Sequence, residues 1–342
     1  RTELLRRSQK DPDNTIFQEM LIWQYLQQKD LTGAFVQSKA MDKRFNEGGH
    51  RLMELAEIAV TNKDWSTAAK CYQYIIDQGK QNANFTKARM GLVRALDARV
   101  TEQAEPPREE LDELVAQYNI ALTDLGRSFN TTELLRGLAR VKAYYLNDRA
   151  GAITLLDEAI NTGGIDPKTQ AQLKLDLGDI HILDADIWEA SLLYSQVDLD
   201  YKNDVLGHDA RLRNAKVSYF AGDFLWAKAQ LDVLKASTSK LIANDAMELS
   251  LLITDNIGED STRSPLTQFS RAQLLMYQHR YDEALLTLDS LNLDFPLNSL
   301  GDDILYERYR VAYARHQFDT AATFLEKDRK STRLNSSHED LS

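Results

Sequence analysis

The chain has 342 residues and a formal net charge of −11, from 41 lysines and arginines against 52 aspartates and glutamates. An acidic surface repels phosphate groups, so the composition argues against nucleic acid as a partner and against docking on anionic membranes. The single cysteine excludes an intrachain disulfide, and no apolar run reaches the roughly 18 residues of a membrane-spanning helix, so we expect no membrane insertion by this stretch of chain.

Apolar residues recur with a helical period along most of the chain, and no segment alternates long enough to predict a strand. The pattern predicts helices at residues 13–28, 30–45, 50–62, 64–79, 83–98, 109–126, 131–146, 149–161, 167–183, 187–200, 205–220, 223–236, 240–256, 265–279, 281–293, 299–316 and 317–328. Polar turns separate them, and aspartate often stands at the next helix start, as at Asp64, Asp223 and Asp282. A carboxylate there can accept backbone N–H bonds.

A small residue, followed four and seven positions later by apolar or aromatic residues, recurs about every 34 to 38 residues. A period of this length indicates a helical solenoid, in which each helix hairpin stacks on its neighbours. The small residues that mark successive copies are Ala34, Ala68, Ala152, Ala190, Ala227, Ala284 and Ala321.

Two interruptions break this period, a loop at 101–108 that carries Pro106-Pro107 and an extra helix near 240–256. We therefore predict one helical repeat array at residues 1–329. Residues 330–342 are polar and rich in serine, which predicts a tail that is disordered or artefactual, since it also resembles translated sequencing-adapter sequence. The chain begins at Arg1 in the middle of the pattern, so we expect it to be a piece of a longer protein.

The pair Leu177-Gly178, followed by Ala190, Tyr194 and Val197, resembles the tetratricopeptide repeat. In that family the first helix carries a Leu-Gly pair and the second carries an alanine, an aromatic residue and a further alanine. The resemblance spans roughly residues 13–328 and implies an all-α fold, a right-handed α-solenoid of tetratricopeptide-type helix hairpins. The chain departs from the pattern at Arg140 and Asp328, where a small residue is expected.

The stretch from Tyr219 to Ala246 is also similar to multi-repeat tetratricopeptide proteins of Bacteroidota-type bacteria. That resemblance implies a periplasmic or cell-envelope location, with the cytoplasm as the alternative. It also implies a protein or peptide partner and no cofactor.

The family resemblance implies where such a partner would bind, because the first helix of each pair lines the concave face at fixed distances before the marker alanine. The alternative is that these side chains pack between adjacent hairpins. The positions that correspond in the C-terminal repeats are Leu212, Lys216, Tyr219, Phe269, Gln273, Met276, Tyr306, Arg310 and Tyr313. None of the repeats has the Lys and Asn pair with which chaperone-adaptor members of the family bind a C-terminal carboxylate, so we expect no clamp of that type.

Catalytic and metal sites find little support in the sequence. Ser237 and Lys240 have the Ser-x-x-Lys spacing of some acyl-transfer enzymes, but no accompanying motif, and a helix start with a serine cap accounts for them. His181 stands near several aspartates without the spacing of zinc helices, which predicts a solvated turn rather than a metal site. Cys71 lies on an amphipathic helix and is predicted to be a buried structural thiol.

The sequence thus predicts a non-catalytic scaffold that binds a protein or peptide on the concave face of the repeat array. One alternative is a structural repeat arm in cell-envelope assembly. The other is a serine-type acyl-transfer enzyme at Ser237 and Lys240.

Overall fold

The computed structural model describes residues 2–11, 14–103, 105–257 and 264–327. Every regular element within these ranges is a helix, which confirms the predicted all-α fold. The tail predicted at 330–342 and Asp328 lie outside the described residues. The chain divides into two compact units, one running up to Asp148 with Thr162–Gly164 and the other comprising Arg149–Asn161 and the chain from Ile165 onwards.

In the first unit each helix packs mainly on the helices next to it in sequence. A single turn of 3₁₀ helix, Phe129–Thr131, precedes the last of them. The helices are α1 Thr2–Lys10, α2 Thr15–Gln27, α3 Leu31–Phe45, α4 His50–Thr61, α5 Trp65–Ile76, α6 Phe85–Thr101, α7 Arg108–Leu125 and α8 Thr132–Tyr144.

The second unit repeats this arrangement, and α15 also packs on α12 across the extra helix α14. Residues 318–327 are helical as well. The helices are α9 Arg149–Ile160, α10 Pro167–Leu183, α11 Ile187–Asp200, α12 Val205–Phe220, α13 Phe224–Leu234, α14 Lys240–Asn256, α15 Pro265–Tyr277, α16 Tyr281–Asp294 and α17 Gly301–Ala314.

The N-terminal helix α1 is absent from the predicted elements, which begin at residue 13. Its sequence has few apolar residues, so a hydrophobic period is hard to detect. Charged pairs on its surface support it instead, because Arg7 Nε donates to Glu3 Oε1 at 2.9 Å and Arg6 pairs with the same carboxylate. Local ion pairs of this kind are not part of the periodicity from which the other helices were predicted.

All seven marker alanines are buried, and glycines on the facing helices show how closely neighbouring helices approach one another. Gly178 shows how tight this approach is, because a Cβ atom added there would lie 2.4 Å from the ring of Tyr194. Gly91 faces the ring of Tyr72 in the same way, at 2.5 Å. The recurring small residues are therefore required by packing, as the repeat pattern predicts.

The turns before α3, α5, α11 and α13 share one local structure, in which a residue with positive φ precedes an aspartate N-cap. Asp64 accepts a hydrogen bond from the backbone N–H of Thr67 at 2.9 Å, and Lys63 before it has a φ of 58°. Asp223 caps α13 after Gly222 in the same way. Asp282 lies in the first turn of α16, at the helix start where it was predicted, and Arg280 is the N-cap residue.

A polar cluster joins α10, α11 and α12. The Asp179 carboxylate accepts a hydrogen bond from the Tyr194 hydroxyl at 2.7 Å and another from the Arg213 guanidinium, which also pairs with Asp209 at 2.8 Å. Burial raises the pKa of Asp179, although the charge of Arg213 opposes the rise. The prediction that the aspartates near His181 lie in a solvated turn is therefore wrong for Asp179, since its helix faces two neighbouring helices.

The first unit contains a cluster of the same chemistry. The Tyr118 hydroxyl donates to Asp97 Oδ2 at 2.9 Å, and Arg140 donates to the same carboxylate. The ring of Tyr118 lies against Gly137, so a tyrosine again occupies the space left by a glycine. This contact gives a physical reason for Arg140, which departs from the repeat pattern but supplies the counter-charge for Asp97.

Candidate functional site

A groove of about 900 Å³ lies in the second unit. Its lining comes from α12, α14, α15 and α17, with Tyr281 at the start of α16. Three of these helices are the first helices of their hairpins, and the fourth is the extra helix that interrupts the period. The interruption of the period therefore places beside the groove an extra helix, α14, which a regular array would lack.

Of the nine side chains predicted from the family register, the structure places eight around this groove. Leu212 is the exception, because it is 4% exposed and packs in the core with Ala215 and Leu231. Three of the eight are also buried between helices, as the packing alternative proposed: Tyr219, Phe269 and Met276. The other five present atoms to solvent: Lys216, Gln273, Tyr306, Arg310 and Tyr313.

One wall of the groove is a row of tyrosines on α17. Tyr306, Tyr309 and Tyr313 follow one helix face, with ring centroids 5.8 Å and 5.9 Å apart in succession. Tyr306 is 50% exposed and Tyr313 is 56% exposed. Amphipathic rings that remain uncovered are well suited to anchoring a partner, because they bury large area with little loss of side-chain freedom.

A charged group is buried at the base of this wall. Glu307 is only 3% exposed, and its carboxylate accepts hydrogen bonds from Gln273 Nε2 at 2.7 Å and from the Arg310 guanidinium at 3.0 Å. These bonds stabilise a carboxylate that would otherwise be costly to remove from water. The guanidinium of Arg310 remains half exposed at the groove surface.

Tyr219 lies beside this group and is 1% exposed. Its hydroxyl has no hydrogen-bond partner among the described residues. Burial raises the pKa of Tyr219 well above its usual value, and the negative charges of Glu307 and Asp303 raise it further. Because buried hydroxyls in folded proteins are normally paired, this unpaired group distinguishes the base of the groove from the surrounding core.

Another wall of the groove is formed by α14 and is acidic. Asp245, Glu248 and Asp255 face the groove from one side of this helix, with Leu249 and Leu252 between them. This helix was predicted from the sequence, but none of its residues was predicted to bind a partner. A signal was available, because these charged and apolar positions are spaced as one helical face.

The structure shows no hydrogen bond between the two residues of the acyl-transfer alternative. The Ser237 hydroxyl lies 2.8 Å from His208 Nδ1 and accepts a bond from the backbone N–H of Ser239 at 3.3 Å, so its partners do not include Lys240. Ser239 is the residue that caps α14, and Lys240 is its exposed first residue.

Cys71 is completely buried, as predicted, and burial raises the pKa of its thiol to about 12. A thiol in this state is unreactive, which agrees with a structural role. Within the described ranges, no three histidine, cysteine or acidic side chains are grouped so as to hold a metal ion. Nor is any helix in those ranges both long and apolar enough to cross a membrane.

No protein-family model and no curated protein matches this chain. Among solved structures it is similar to a tetratricopeptide repeat protein from Parabacteroides merdae, with 14% identity over 83% of this chain and 93% of that chain and a TM-score of 0.47. It is also similar to human IFIT1, solved as a dimer with PPP-AAAA, with 12% identity over 96% of this chain and 85% of that chain and a TM-score of 0.34.

Proposed function

We propose that this chain is a non-catalytic scaffold that binds a protein or peptide in the groove formed by α12, α14, α15 and α17. The observation that carries the proposal is the row of uncovered tyrosines on α17 along a cleft of about 900 Å³. Tyrosine and arginine are enriched among the residues that dominate binding at protein interfaces. Tyr306, Tyr313 and Arg310 combine both types on one helix face.

The framework of the groove also favours binding. Its walls are helices whose opposite faces are packed in the core, with Phe269 and Tyr219 almost completely buried. A groove held in this way loses little conformational freedom when a ligand enters it, so more of the contact energy remains as affinity. An extended segment or one face of a helix are both suitable ligands for such a surface.

A displayed library of random peptides, panned against the full chain, tests this function. We expect enriched peptides whose affinity falls at least about tenfold in a Tyr306→Ala/Tyr313→Ala variant, because the two exposed rings are lost. The matched control is Trp23→Ala/Trp188→Ala, which removes two aromatic side chains that are exposed elsewhere. We expect the control to bind the same peptides with unchanged affinity.

Two outcomes contradict the proposal. One is that no peptide is enriched, and the other is that the enriched peptides bind the two double variants equally. Either result leaves the structural repeat arm as the better description of the chain. The acyl-transfer alternative has a separate test, in which a serine-reactive probe labels the parent but not Ser237→Ala.

A further inference from the structure

We propose that the occupant of the groove is a basic segment, whose arginine or lysine side chains bind between the carboxylates of α14 and the tyrosines of α17. This inference rests on the proposed peptide-binding function and specifies the chemistry of the partner. It is carried by three features of the groove: the balance of charge, the unpaired hydroxyl of Tyr219 and the spacing of the rings.

Charge around the groove favours a cation. Among the described residues, five carboxylates and two cationic side chains line it, and one of those cations, Arg310, is already paired with Glu307. Asp245, Glu248 and Asp255 have no hydrogen bond or ion pair within the described part of the chain. A basic ligand would therefore meet complementary potential along α14, whereas an acidic one would be repelled.

The base of the groove offers a second, independent feature. The Tyr219 hydroxyl is buried, has no hydrogen-bond partner in the part of the chain that the structure describes, and lies near the carboxylates of Glu307 and Asp303. A guanidinium carries five N–H donors in a plane, so it can donate to a hydroxyl oxygen and to a carboxylate at the same time. The half-exposed guanidinium of Arg310 already donates a hydrogen bond to the Glu307 carboxylate. An incoming arginine could share or replace that hydrogen bond.

The tyrosine row completes the arrangement. Rings about 6 Å apart along one helix present successive faces to a peptide that lies beside them. Guanidinium and ammonium groups are attracted to such faces while the aliphatic parts of their side chains pack on the rings. Leu249 and Leu252 on the wall formed by α14 suit the apolar residues between the charges.

The test uses fluorescein-labelled peptides of about twelve residues, in which leucine alternates with arginine, with glutamate or with serine. Fluorescence anisotropy with the full chain should show the arginine peptide binding at least about tenfold more tightly than either of the others, and more weakly as salt rises. A variant with Asp245→Asn, Glu248→Gln and Asp255→Asn should bind the arginine peptide about tenfold more weakly.

The matched control neutralises three exposed carboxylates of the first unit, as Glu57→Gln, Glu109→Gln and Glu113→Gln. It changes the net charge equally and should retain the parent affinity. A Tyr219→Phe variant should bind the arginine peptide about threefold more weakly with an unchanged helical circular dichroism spectrum, since it removes one hydrogen-bonding group without altering packing.

The proposal is overturned if the glutamate or serine peptide binds as tightly as the arginine peptide, or if the two triple variants lose affinity equally. It is also overturned if an RNA oligomer of about twelve nucleotides binds more tightly than the arginine peptide. In each case, library peptides that still depend on Tyr306 and Tyr313 would leave the peptide-binding function standing and only the basic occupant wrong.

Discussion

Two buried tyrosines of the second unit differ in whether their hydroxyl groups are hydrogen-bonded. Tyr194 is completely buried and its hydroxyl donates to Asp179 at 2.7 Å. Tyr219 is as deeply buried, but its hydroxyl has no partner among the described residues. The first is a satisfied part of a helix junction, whereas the second lies at the base of a groove. A buried polar group left unpaired is uncommon in folded proteins, and binding of a ligand is one way in which it is satisfied.

One buried tyrosine of the first unit, Tyr118, follows the paired arrangement. Tyr118 donates to Asp97, and Arg140 balances the charge. Burial raises the pKa of Tyr118, as it does for Tyr194. The same combination of tyrosine, aspartate and arginine therefore stabilises a junction in each unit, whereas the Tyr219 hydroxyl has no such partners among the described residues.

The largest effect on the paired junction is expected from Asp179→Ala. Removing this carboxylate leaves Arg213 and Tyr194 without their shared acceptor. Because Asp179 and Arg213 are both largely buried, the free energy of unfolding should fall by about 2 kcal/mol. Urea unfolding followed by circular dichroism measures the change. Asp209→Ala is the control and should lose under about 1 kcal/mol, because Arg213 keeps Asp179. Equal stability of Asp179→Ala and the parent would show that the cluster does not hold the junction.

A somewhat smaller effect is expected where Tyr194 contacts the neighbouring helix. Gly178→Ala places a methyl group 2.4 Å from the ring, so the ring or the helix must shift, at a cost of about 1.5 kcal/mol despite the better helix propensity of alanine. Gly163→Ala is the control, because a Cβ atom there meets nothing within 4 Å. Thermal unfolding compares the two variants. A melting temperature of Gly178→Ala at or above that of the parent would contradict the close packing.

The direct comparison removes each hydroxyl in turn. Tyr194→Phe deletes a hydrogen bond to a carboxylate and should cost about 1 kcal/mol, whereas Tyr219→Phe deletes a group without a partner and should change stability by less than about 0.5 kcal/mol. Urea unfolding of both variants under one set of conditions measures the difference. Equal losses would mean that the Tyr219 hydroxyl is satisfied after all, and the argument for a ligand at that position would fail.

The smallest expected effect concerns alkaline pH, where the two tyrosines should behave alike. Burial raises the pKa of both tyrosines in the folded protein. Their contribution to folding stability is therefore complete at pH values below the pKa of tyrosine in the unfolded chain, near 10, and it is lost progressively as the pH rises above that pKa. Between pH 8 and pH 10.5 the parent should lose about 0.8 kcal/mol more stability than either phenylalanine variant. Urea unfolding at the two pH values measures this change. If the parent and the variants lose equal amounts of stability between the two pH values, burial does not raise the pKa of these tyrosines as described.

Much of the fold follows from local pattern. Helices predicted at 167–183, 187–200, 205–220 and 240–256 have those bounds in the structure, because their apolar period and their capping aspartates or serines lie within the segment itself. The helix α1 was missed, since it has too few apolar residues to show a hydrophobic period.

Less of the groove than of the fold could be predicted from the sequence. The family register identified eight of its lining side chains, but it also included Leu212, which packs in the core. It could not assign the acidic face of α14, because that helix interrupts the repeat from which the register is counted. The binding role of all these residues remains a prediction that the peptide experiments test.

The amino-acid sequence by itself determined that this chain forms consecutive helix hairpins, because helical period, small residues at crossings and turn signals act over a few neighbouring residues. Only the tertiary structure decided which polar groups are paired. Tyr194 donates a hydrogen bond to Asp179, and Gln273 donates one to Glu307, in each case between two helices. The Tyr219 hydroxyl has no partner among the described residues. Hydrogen bonding depends on distances between atoms that the fold brings together, and no local pattern records those distances.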